Sequence, residues 1–188
     1  MDSRTFDTRT LVRVALVAAL IGALGFVPPL YLPVAAGVPI TAQSLGVMLA
    51  GLLLGARAGA AAATLFVVVV LLGVPMLSGG RGGIGILATP PAGFFLGFIP
   101  GAFVTGLLAE RLRLAPLLSA FLAAATGGIG VVYLCGIPVS AVIAHVPFGY
   151  AAVGSAIFLP GDVLKAVGAA LLATTVLRSW SAAPQPRP

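Results

Sequence analysis

Charge is what this chain has least of. Only 7% of its 188 residues are Asp, Glu, Lys or Arg, with four acids against ten bases. A soluble domain cannot wet its surface with so little. One histidine, His145, and one cysteine, Cys135, exclude a histidine metal cluster, a disulfide framework and a cysteine metal site. No carboxylate pair has the partners for acid–base work and no Ser–His–Asp set has a workable placement, so the chain does not read as an enzyme. It has no Walker motif, so it does not hydrolyse ATP itself. No cofactor is expected. What is abundant is apolar: 60% of the residues are hydrophobic and the mean hydropathy is +1.19. These values define an all-α integral membrane protein made almost entirely of spans.

Six apolar runs follow one another, at roughly 12–30, 39–56, 58–74, 92–109, 114–135 and 160–178. Each is near the ~20 residues that cross a bilayer. Residues 1–178 are therefore expected to form a single six-helix membrane domain, and the polar, proline-rich 179–188 a disordered tail. Six spans put both termini on one side. A cytoplasmic placement puts Arg4, Arg9, Arg13, Arg57, Arg111, Arg113, Arg178 and Arg187 inside, leaving Arg81 and Lys165 at the outer face. The pI of about 10.8 then reflects anionic lipid headgroups and a cytoplasmic partner rather than nucleic acid. The outer connections, 28–39, 75–91 and 136–159, are long and apolar enough to fold over the helix ends as a lid. Gly-[Val/Ile]-Pro recurs at 37–39, 73–75 and 136–138 and reads as helix punctuation. A short helix is expected within 139–144.

The candidate ligand groups gather on the outer side. Asp162 and Lys165 stand three residues apart where the last span begins, after Pro160-Gly161. The helix dipole favours Asp there but not Lys, which needs Asp162 or an anionic ligand; the alternative is an ion pair that only closes the helix end. Arg81 lies in Ser78-Gly79-Gly80-Arg81-Gly82-Gly83, where glycines let backbone amides approach a ligand and the guanidinium presents a fork for a carboxylate. Thr41, Gln43 and Ser44 open the second span; Gln43 offers both a donor and an acceptor, with structural packing as the competing role. His145 and Cys135 read as packing residues. Glu110-Arg111 reads as a solvated pair or part of a docking surface. Ala15, Ala19 and Ala23 form one small-residue stripe, and Gly93, Gly97, Gly101 and Thr105 another. The second suits internal packing; the first competes as a docking face for another membrane protein.

The segments Val38-Pro-Ile-Thr-Ala-Gln-Ser-Leu45, Leu52-Leu-Leu-Gly-Ala-Arg-Ala-Gly59, Gly73-Val-Pro75, Ser78-Gly-Gly-Arg-Gly-Gly83, Gly93-Phe-Phe-Leu-Gly-Phe98 and Leu159-Pro-Gly-Asp-Val-Leu-Lys165 occur in that order over nearly the whole chain. Together they resemble the BioY family, the biotin-specific S components of energy-coupling factor (ECF) transporters. One segment departs: Thr89-Pro-Pro-Ala-Gly-Phe94 stands where the family usually reads Gly-Pro-Thr-Gly-Gly-Tyr, so Pro91 replaces a hydroxyl.

The resemblance implies the ECF S-component fold and uptake of biotin across the bacterial cytoplasmic membrane. It also implies an ECF transmembrane coupling protein, cytoplasmic ATPases, and toppling of the loaded protein in the bilayer. Ala15 and Ala19 match the family's Ala-x-x-x-Ala coupling face. In this reading Asp162 accepts a ureido N–H, and Arg81 and Lys165 compete for the carboxylate. Tyr31, Phe148 and Tyr150 help bury the rings, and Thr41, Gln43, Ser78, Gly79 and Gly80 complete the substrate site. The alternatives are an S component for thiamine or riboflavin, an intramembrane enzyme, or a structural subunit. Whether the chain works only with a coupling module or alone as a homo-oligomer is left open by the residues.

Overall fold

In the computed structural model the described residues are 7–28 and 41–182, and they are helical almost throughout. Helix α1 covers Thr8–Ala23, with the Asp7 carboxylate accepting from the Thr10 N–H as its cap. Hydrogen bonds from Thr10 hold the Asp7 carboxyl below the usual Asp pKa. Helix α2 covers Gln43–Leu71, α3 Ala92–Arg111, α4 Pro116–Ala124, α5 Val132–Ile143, α6 Phe148–Ala156 and α7 Leu159–Ala182. A π-helical stretch, Ala125–Val131, joins α4 to α5 in one continuous rod. Five helical segments among the described residues are long and apolar enough to cross a membrane, with α2 counted as one.

Two expected spans, 39–56 and 58–74, correspond to the single element α2. It is interrupted at Gly55, whose φ of 79° and ψ of −176° are open essentially to glycine alone. The chain reverses there. A Cβ on Gly59 would lie 2.7 Å from the Ala50 carbonyl oxygen, whereas nine residues of straight helix span about 13 Å. Segments 43–54 and 56–71 therefore run side by side. Gly106 of α3 packs against the Gly55–Ala56 peptide, and the Glu110 carboxylate accepts from the Ala56 N–H at 2.9 Å. Glu110 thus caps the returning segment, a role more specific than the solvated pair expected from sequence.

Helices gain little from hydrophobicity against one another in lipid, so close packing over small residues holds them. The Gly93–Gly97–Gly101 stripe of α3 does this against α5: a Cβ on Gly97 would meet Cys135 at 3.1 Å, and one on Gly101 would meet Val132 at 2.7 Å. Buried Ala166, Ala169, Ala170 and Ala173 set α7 against α2 and α4.

Helix ends differ from expectation in two places. Gly136-Ile137-Pro138 lies inside α5 instead of ending a helix, and the expected short helix at 139–144 is largely the continuation of α5. Pro138 removes one hydrogen bond to the Leu134 carbonyl without stopping the rod. Gly73, at φ 106°, does end α2, while the Gly-Val-Pro at 37–39 lies outside the described residues. Helix α7 runs to Ala182, four residues into the expected tail; 183–188 lie outside the described residues.

Candidate functional site

The start of α7 meets the start of α2 and the middle of the α4–α5 rod, and there the scarce charges converge. Asp162 is buried and accepts from the Lys165 ammonium at 2.8 Å. Its Oδ1 also accepts from the Ser44 hydroxyl at 3.2 Å, and its Oδ2 from the Tyr133 hydroxyl at 2.6 Å. The Lys165 Nζ donates further to the Thr41 carbonyl at 2.6 Å and to Ser44 Oγ at 3.2 Å. All three ammonium protons thus have acceptors, and Ser44 relays one of them by accepting from Lys165 and donating to Asp162. Thr41 takes part through its backbone carbonyl.

Arg81 approaches from the connection after α2. Leu77 and Arg81 exchange backbone hydrogen bonds of 3.0 and 3.1 Å, closing a tight loop through Gly79 and Gly80 at φ 82° and 71°. The Arg81 Nε donates to the Ser78 carbonyl at 3.2 Å, and the guanidinium has no ion-pair partner among the described residues. Arg81, Asp162 and Lys165 line one cavity with Thr41 and Ser44. Its apolar wall is Phe94, Phe95 and Phe98 of α3, with Val132, Phe158 and Leu77. Phe94 stands edge-on to Tyr133 at 5.8 Å between ring centres, which helps fix the phenol under Asp162. Pro91 also lines the cavity, directly before α3.

Several expected site residues are placed otherwise. Tyr150 and Phe148 lie on α6, 54% and 60% exposed and away from the cavity wall; α6 packs chiefly on α5, which turns this face outward. Gly79 and Gly80 are exposed and form the turn that carries Arg81, without lining the cavity. The Ser78 hydroxyl is buried with no hydrogen-bond partner among the described residues, and Ser78 also stays off the wall. Gln43 borders the cavity, but its amide is engaged by backbone: Nε2 donates to Ile21 and Met76 carbonyls, and Oε1 accepts from the Ser78 N–H. Tyr31 lies outside the described residues. Sequence reasoning missed Tyr133 and the phenylalanine wall. The available signals were a tyrosine at membrane depth and the i, i+1, i+4 spacing of Phe94, Phe95 and Phe98.

An all-helical multi-pass membrane protein with a compact polar cluster at one end of an aromatic cavity belongs to the class of membrane solute-capture proteins. The comparisons narrow this. The BioY family model matches residues 1–182, and the chain belongs to that family. It is 53% identical over 187 residues to the biotin transporter BioY of Rhizobium etli, covering 95% of this chain and 98% of that one. It is 46% identical over 178 residues to the biotin transporter BioY of Rhodobacter capsulatus, covering 89% and 93%. Its fold matches the crystal structure of the S-component for biotin from an ECF-type ABC transporter, with a TM-score of 0.84, 25% identity, and coverage of 93% of this chain and 95% of that one. These relatives are transporters, and this chain is a multi-pass protein of the bacterial cytoplasmic membrane.

Proposed function

We propose that the chain captures biotin and serves its uptake as the substrate-specific component of an ECF-type ABC transporter, without catalysis of its own. The observation that carries this is the cavity itself. One ligated acid, one ligated base and one arginine with no ion-pair partner among the described residues face a wall of phenylalanines. The cluster of Asp162 and Lys165 is internally neutral, so Arg81 leaves the site with one net positive charge. That balance suits a ligand with a neutral hydrogen-bonding head, an apolar body and one carboxylate. Biotin has a ureido ring, a thiophane ring, an alkyl chain and a carboxylate.

Asp162 Oδ2 accepts only from Tyr133, so it has a lone pair left for a ureido N–H. Lys165 is tied to three acceptors already, which makes Arg81 the better partner for the carboxylate. Thiamine, a cation, is disfavoured by the same charge balance.

In this reading residues 1–178 act as one membrane domain with both termini cytoplasmic, as the arginine distribution favours. Ala15 and Ala19 are exposed on α1 beside Leu11, Val12, Leu16 and Leu20, which suits a coupling face for the ECF transmembrane protein. The cytoplasmic ATPases then supply the energy, and toppling carries the loaded cavity inward.

The test is equilibrium binding of radiolabelled biotin to the purified protein in detergent, with thiamine and riboflavin as competitors. Saturable binding that neither competitor displaces is expected. Absence of biotin binding by folded protein refutes the substrate assignment.

A further inference from the structure

The side chain of Gln43 is fully buried yet makes three hydrogen bonds, all to backbone. Its Nε2 donates to the Ile21 carbonyl at 3.2 Å and the Met76 carbonyl at 3.0 Å. Its Oε1 accepts from the Ser78 N–H at 3.0 Å. The flipped amide would set its oxygen against two carbonyls and its NH2 against an N–H, so the surroundings admit one orientation. Ile21 belongs to the last turn of α1, where carbonyls run out of helical partners. Met76 and Ser78 flank Leu77, one end of the backbone pair that closes the Arg81 loop. Gln43 therefore pins the Leu77 arm of that loop on either side of Leu77 and ties it to α1. The seat is tight: a Cβ on Gly25 would run into the Met76 carbonyl and lie 2.9 Å from Gln43 Nε2, and one on Gly22 would meet the Met76 side chain.

We infer that Gln43 is a positioning residue for recognition of the ligand's anionic group: it acts through Arg81, by fixing the loop that presents the guanidinium, rather than by touching the ligand. The inference rests on the biotin reading of the cavity. Glutamate cannot replace it, having no donor for two carbonyls, and methionine keeps its approximate shape but none of its three bonds.

The experiment measures affinity for biotin and for biotin methyl ester, in which the carboxylate charge is removed, with wild type, Q43M, R81Q and the double variant. Wild type should prefer biotin to the ester. Q43M should lose about tenfold in biotin affinity, within the range of couplings between residues that share partners. Its affinity for the ester should stay within about twofold of wild type, and it should have no further effect when added to R81Q. A purely structural defect would weaken both ligands alike. Unchanged biotin affinity in Q43M, equal losses for both ligands, or additivity with R81Q overturns the inference. Wild type that binds neither ligand overturns the biotin reading instead. Should Q43M not fold, G25A crowds both the Met76 carbonyl and Gln43 Nε2 and so disturbs the same brace while residue 43 stays glutamine, and the same selective loss is required of it.

Discussion

Removing the charge of Asp162 tests whether the cluster is a coupled ion pair or two independently tolerated polar residues. The two side chains are only 9% and 19% exposed, and their contact is 2.8 Å. In Asp162→Asn the Lys165 ammonium keeps the Thr41 carbonyl and the Ser44 hydroxyl but loses its counter-charge. Breaking a buried pair from one side costs about 3–5 kcal/mol. The two surviving acceptors and the residual exposure of Lys165 place this substitution near the lower end, about 3 kcal/mol. Lys165→Met leaves Asp162 with Ser44 and Tyr133 as donors, and strips the Thr41 carbonyl of its partner. Its cost should be about 2–3 kcal/mol by the value of hydrogen bonds to charged groups. The double variant holds no isolated charge. It should therefore be more stable than the sum of the two losses predicts, by about 2 kcal/mol or more. Chemical unfolding of ligand-free protein in detergent micelles, followed by circular dichroism, gives the four stabilities. Additivity within about 0.5 kcal/mol would show that the two charges do not depend on one another, and the account of the cluster given above would be wrong.

Further outcomes follow from the same geometry. Tyr133→Phe removes a 2.6 Å bond to the carboxylate and should cost about 1.5–3 kcal/mol of stability or biotin affinity, read by unfolding and by a binding isotherm; no change in either would remove Tyr133 from the site. Gly55→Ala puts a side chain into a conformation reserved for glycine and against the Glu110 carboxylate, so a loss of about 1–3 kcal/mol should appear in micelle unfolding. Glu110→Ala should cost about 1 kcal/mol as a lost cap while Glu110→Gln, which keeps the acceptor, stays close to wild type; equal losses would contradict the capping role. Tyr150→Ala should leave biotin affinity within about twofold, because the ring stands outside the cavity.

The membrane class and three of the residues that line the cavity were legible from residue types alone. Arg81, Asp162 and Lys165 stood out because an ion at the edge of an apolar run is costly wherever its partners are. Arg57 stood between the apolar runs 39–56 and 58–74, and the chain reverses two residues earlier, at Gly55. Tyr150 misled for a related reason: an aromatic in an apolar connection reads the same whether it faces a ligand or lipid.

Hydropathy sums over neighbours in sequence, so the sequence by itself determined that this chain lives in a bilayer, roughly where it crosses, and which few charges must find partners. Which partners they find depends on helix crossings that join distant segments. Ser44 and Asp162 lie 118 positions apart, Thr41 and Lys165 124, and Gln43 and Ser78 35. Only the tertiary structure decided that Lys165 is tied down while Arg81 has no ion-pair partner among the described residues, that Tyr133 anchors Asp162, and that Gln43 braces a loop. A hydrogen bond is a matter of tenths of an ångström and of angle, and those are set by how small-residue faces bring the helices together, not by any one segment's composition.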